Sequence, residues 1–134
     1  ISVPEVAERF QKRAFFRIKV NLTATVRLVD HEGKIDAPRR VPLVDLSGNG
    51  LAFAWPKKVP LDSDAALALN DIPGIGTIEL MTRIIRCTRI EREDDVPIYH
   101  VGVQFQGISR GMRDKIIRYL FHIQRTQVER VKDE

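Results

Sequence analysis

A change of period constrains this chain more than any other feature. From Phe16 to Phe105 apolar and β-branched residues come in short runs, several of them alternating with polar ones and separated by turn residues; after Gly107 they recur every three or four positions. A period of two places side chains alternately on the two faces of a strand, and a period near 3.6 marks one face of a helix. Asn21 to Val29 alternates Leu22, Ala24, Val26 and Leu28 with Thr23, Thr25 and Arg27, which predicts a half-buried strand. His31 to Lys34 reads as a turn. Val41 to Leu46 and Leu51 to Trp55 read as two strands around Gly48-Asn49-Gly50, with Pro56 and Pro60 closing that piece. Asn70 to Gly74 is a loop signal, and Gly76 to Ile90 is a long strand whose adjacent Ile84 and Ile85 predict a bulge. After a charged turn at Glu91 to Asp95, the strand Ile98 to Phe105 places Tyr99, Val101, Val103 and Phe105 on its core face. Ser109 is suited to cap a helix of about five turns carrying Met112, Ile116, Ile117, Leu120, Phe121, Ile123 and Val128. Consecutive strands followed by one helix predict a mainly β fold, a closed antiparallel barrel with the helix over an opening or edge.

Composition narrows the function classes. A chain of 134 residues has room for one substantial core, and 43% hydrophobic with 30% charged residues is the balance of a folded domain. No apolar run reaches the length of a membrane span, and the charged first twenty residues differ from a signal peptide, so a soluble cytoplasmic protein is expected. Cys87 is the single cysteine, which excludes an intrachain disulfide and a thiolate zinc cluster. His31, His100 and His122 lack metal-ligand spacing, so neither metal nor cofactor is expected. No phosphate-binding loop of the Walker kind and no nucleophile elbow is present, and Ser47 has no adjacent base, which argues against an enzyme. The net charge of +4 suits an anionic partner.

Two segments could carry recognition chemistry. In Arg13-Ala14-Phe15-Phe16-Arg17 two guanidinium groups four positions apart, preceded by Lys12, can converge on one ligand. Such planar forks suit phosphate oxygens and the O6/N7 edge of guanine, where a bidentate contact discriminates by roughly 1–3 kcal/mol. In Asp45-Leu46-Ser47-Gly48-Asn49-Gly50 a carboxylate and a hydroxyl two residues apart share a face, beside glycines that let a ligand approach the backbone. Taken singly, the first reads more simply as a solvated basic stretch, and the second as a strand-ending turn bonded to its own backbone. Trp55 could stack on a base but more simply packs at a strand end.

Together, Arg-x-x-x-Arg followed about thirty residues later by Asp-x-Ser-x-x-Gly, with the Tyr99 to Phe105 strand and a final helix, resembles the PilZ family of bacterial cyclic di-GMP receptors. The resemblance implies a six-stranded antiparallel β-barrel with a C-terminal α-helix, binding the dinucleotide on its outer surface. It further implies that Arg13 and Arg17 contact guanine and phosphate, that Asp45 and Ser47 hold a guanine edge, and that Gly50 allows close backbone approach. The residue before the first arginine influences whether one ligand or a stacked pair binds; Lys12 keeps the charge without the planar surface. The expected organisation is a tail or interdomain linker remnant over Ile1 to Glu8 and one domain over residues 9–134. The expected function is a non-enzymatic receptor that orders its arginine segment around the ligand and acts on an upstream domain or on flagellar or polysaccharide-synthesis machinery. Two alternatives are a barrel that binds single-stranded nucleic acid, disfavoured by the scarcity of exposed aromatic platforms, and a PilZ-like interaction module that does not bind the dinucleotide.

Overall fold

Alternation along each strand becomes inside and outside of a closed barrel. The structure, a computed structural model, describes residues 17–92, 94 and 96–133. Six strands, β1 (Thr23–Val29), β2 (Arg39–Leu46), β3 (Gly50–Trp55), β4 (Asp64–Ile72), β5 (Gly76–Ile90) and β6 (Ile98–Gln106), precede helix α1 (Arg110–Asp133). The strands pair in the order β1-β2-β3-β6-β5-β4 and close, every neighbouring pair being antiparallel. Among the described residues, closure gives each of the six strands a neighbour on both sides. Among the described residues no helix is long and apolar enough to cross a membrane.

Inward positions fill the barrel: Val26 of β1, Leu46 of β2, Phe53 of β3, Leu69 of β4, Ile84 of β5 and Val103 of β6 are fully buried. Each such side chain contributes about 1.5–3 kcal/mol relative to its exposed state. Ile116 and Leu120 of α1 are buried in the same cluster, so the helix seals part of the core as expected. Thr82, the buried polar residue of β5, donates its hydroxyl to the Ala65 carbonyl at 2.7 Å and leaves no unmet polar group. Trp55 packs edge-on to Phe53 with ring centroids 5.7 Å apart, and the Arg39 guanidinium lies 5.6 Å from the Trp55 ring centroid.

Two differences from the sequence reading have physical reasons. Strand β4, the sixth that the resemblance implies, was not located from its residues, and it carries Asn70 to Ile72, which read as loop. Its inward Ala65, Leu67 and Leu69 alternate with outward Ala66 and Ala68, so the apolar-polar contrast that reveals a strand is missing. Asn70 belongs to the sheet because its amide donates to Thr23 and Thr25 of β1 at 3.3 and 3.1 Å. The helix runs 24 residues rather than about five turns. Its start is as expected: Gly107 takes φ +68°, a left-handed conformation that favours glycine, and the Ser109 hydroxyl accepts from the Met112 N–H at 3.1 Å.

Both register breaks position the site. Leu43 pairs with Phe53 but Asp45 pairs with Ala52, leaving Val44 as an extra residue in β2. Ile84 pairs with Val103 but Arg86 pairs with Gly102, leaving Ile85 as an extra residue in β5, at the bulge the sequence predicts. Val41 and Leu43 face inward, as do Ile78, Thr82 and Ile84, so strict alternation would send Asp45 and Arg86 into the core. The bulges turn both outward.

Candidate functional site

Arg17, the last residue of the arginine segment, meets the second signature segment. Ile18 exchanges backbone hydrogen bonds with Leu46, Ile18 N–H to Leu46 O at 3.0 Å and Leu46 N–H to Ile18 O at 2.9 Å. This short antiparallel bridge lays the chain after Arg17 along the end of β2. The Arg17 Nη1 then donates to Asp45 Oδ1 at 3.1 Å, the side chains 35% and 19% exposed respectively. Continuing the bridge register by one residue sets Lys19 opposite Asp45, a cation the sequence reading did not single out. A pair this exposed contributes about 0–1 kcal/mol, so an anionic ligand can compete for Arg17 and a donor-rich one for Asp45. Lys12 and Arg13 lie outside the described residues.

The bend between β2 and β3 is held from three directions. Within it, Ser47 is buried and its Oγ lies 2.8 Å from Asn49 Oδ1 and 3.1 Å from the Gly50 carbonyl, while the Ser47 N–H donates to the Gly50 carbonyl at 2.9 Å. From β6, the Phe105 N–H donates to Asn49 O at 2.9 Å. From α1, Arg113 Nε donates to Gly48 O at 3.2 Å. The Ser47 hydroxyl thus builds the bend that carries Asp45. Gly50 answers to β6: a Cβ there would lie 2.2 Å from the Val103 carbonyl oxygen, so the close approach it permits in the structure is that of a neighbouring strand.

Around Asp45 the outer face is built of small residues and cations. The outward row Asp45, Ala52, Gly102, Arg86 crosses β2, β3, β6 and β5, and Gly50 and Ala54 are the neighbouring outward positions of β3. This face offers one carboxylate that accepts N–H donors, guanidinium forks for phosphate or purine oxygens, and backbone close to its surface. Arg113, Lys19 and Arg86 were missed in the sequence because their placement depends on the register of remote strands and on helix docking. Among the described residues no group of three or more His, Cys, Asp or Glu side chains converges as a metal ion would need. Away from this face, burial against the core raises the Tyr119 phenol above its ordinary pKa.

Comparison with known proteins fits this geometry. The family model for the PilZ domain matches residues 11–122. The chain is 28% identical over 136 positions to the flagellar brake protein YcgR of Azoarcus sp. (strain BH72), covering 96% of this chain and 52% of that one. It is 27% identical over 135 positions to the flagellar brake protein YcgR 2 of Dechloromonas aromatica (strain RCB), covering 96% and 53%. It therefore spans about half the length of these relatives. Among solved structures, the PilZ domain with c-di-GMP of YcgR from Escherichia coli is similar with a TM-score of 0.65 at 17% identity, covering 92% of this chain and 100% of that one. At that identity the likeness speaks for the fold. The family match begins ahead of Arg17, takes in all six strands and reaches well into α1, and on that extent the chain belongs to the PilZ domain family.

Proposed function

We propose that this domain is a receptor for cyclic di-GMP, gripped between the arginine segment and the β2–β3 bend. The observation that carries the reading is the Arg17–Asp45 contact, which unites two segments 28 residues apart at a partly exposed place on the barrel. The ligand offers two phosphates and two guanine edges. Arg17 is suited to a phosphate or to the O6/N7 edge, and Asp45 to the N–H donors of a guanine. By the family signature Lys12 and Arg13 complete the grip, and Ser47 and Gly50 contribute by shaping the bend. The domain binds rather than turns over its ligand, and its signal passes on when the arginine segment orders around the dinucleotide, shifting an equilibrium between open and wrapped states. The names of the relatives, flagellar brake proteins, make flagellar motility the first output to examine. A single-strand nucleic-acid site fits less well: among the described residues the outer face of β2, β3, β6 and β5 presents no Phe, Tyr or Trp as a stacking platform.

Calorimetric titration with cyclic di-GMP, GMP and an oligonucleotide tests this. Saturable heat is expected with the cyclic dinucleotide alone, and Arg17→Ala or Asp45→Ala should weaken binding by about ten- to hundredfold, the loss of one charge-assisted hydrogen bond. Equal heats with all three nucleotides would reduce the site to a generic basic patch, and hydrolysis of the dinucleotide in the same cells would overturn the receptor assignment.

A further inference from the structure

We propose that Arg86 is the opposite wall of the dinucleotide site, a guanidinium that contacts the bound ligand from the side away from Arg17; the proposal rests on the cyclic di-GMP reading above. The register places Asp45, Ala52, Gly102 and Arg86 in one row across four adjacent strands. Three steps at roughly 4.8 Å between strands separate the Asp45 and Arg86 backbones by about 14 Å. An extended dinucleotide and a long side chain can span that distance. The middle of the row is as low as a sheet surface can be, one alanine and one glycine, both buried.

Two independent register breaks make this row. One extra residue in β2 turns Asp45 outward, and one extra residue in β5 turns Arg86 outward, at the same level of the barrel. Were Val44 or Ile85 paired in an unbroken ladder, the charge after it would point into the core. Arg86 also lies toward the small-residue floor: a Cβ added at Gly102 would come within 3.2 Å of both Nε and Nη2 of Arg86. The fork therefore lies over the backbone of β6. There it presents donors for a phosphate or a guanine O6/N7 edge, as Arg17 does beside Asp45. Arg17, Lys19 and Arg86 against Asp45 leave the row with an excess of positive charge, the sign that phosphodiesters require.

Cyclic di-GMP titrations of the wild type, Arg17→Ala, Arg86→Ala, Arg86→Lys, Gly102→Ala and Arg27→Ala test the proposal. Arg27 is an exposed cation on β1, away from the row, and controls for overall charge. Arg86→Ala should weaken binding by about tenfold, Arg86→Lys should restore part of the loss, and Arg27→Ala should stay within about twofold. Gly102→Ala keeps every charge but displaces the fork, and should weaken binding several-fold; it decides the matter if Arg86→Ala does not fold. Wild-type affinity in both Arg86→Ala and Gly102→Ala, with Arg17→Ala still defective, overturns this proposal and leaves the receptor reading standing. Equal losses for Arg27→Ala and Arg86→Ala also overturn it, since only net charge would then matter. Failure of the wild type to bind removes the receptor reading itself.

Discussion

At the scale of single residues, two glycines on one face are required for different reasons. Gly50 is locked by the carbonyl of Val103, backbone that cannot swing aside, whereas the neighbour of Gly102 is the flexible end of Arg86. Gly50→Ala is therefore expected to destabilise the fold by about 1–3 kcal/mol, the usual cost of overpacking, while Gly102→Ala stays within about 0.5 kcal/mol. Urea denaturation of both variants checks this, and equal midpoints would contradict it. The sequence made the meeting of Arg17 with Asp45 legible, because residue types and spacing together suggested one ligand. It could not reveal that Ser47 is spent on the bend, or that Gly50 serves β6, since the partner Val103 lies far along the chain.

At the scale of elements, helix α1 serves both core and site: Ile116 and Leu120 seal the barrel, and Arg113 reaches the Gly48 carbonyl. Tyr119, on the same helix, packs partly buried against that core, and its raised pKa sets a sign for alkaline stability. The folded state holds the phenol proton more tightly than the unfolded chain, whose phenol titrates near 10.0. The contribution of the neutral phenol is thus complete below that pH and is lost as pH rises toward the folded pKa. Thermal melts between pH 8 and 11 should show a steeper alkaline decline in the wild type than in Tyr119→Phe; parallel curves would contradict it. Elements were legible where polar contrast was strong: β5 and the β6 core face follow from alternation, and the start of α1 from Gly107 and Ser109. Strand β4 was hidden because Ala66 and Ala68 face outward without polarity to announce it.

At the scale of the whole molecule, a closed barrel with a ligand on its outer wall should gain stability from binding by mass action. Cyclic di-GMP at a hundred times its Kd should add about 2.7 kcal/mol, raising the midpoint by about 10 °C for a domain of this size. Scanning fluorimetry should show that shift in the wild type and its loss in Arg17→Ala at the same ligand concentration. The barrel and its helix were legible from the order of strand and helix periods, but not the strand neighbours or the small-residue face, which follow from the order β1-β2-β3-β6-β5-β4. Val44 bears on this from an unexpected side. It has no partner on β3, and because the ladder passes over it, Leu43 keeps its place inside while the carboxylate two residues on faces water. Excision of this one residue would leave Asp45 directly after Leu43, in the outward place of an unbroken ladder, so the carboxylate would keep its facing and only the local kink of β2 would be lost. What position 44 gives the site is therefore local curvature, while the facing of the carboxylate is set by inward Leu43 and Leu46 on either side of it.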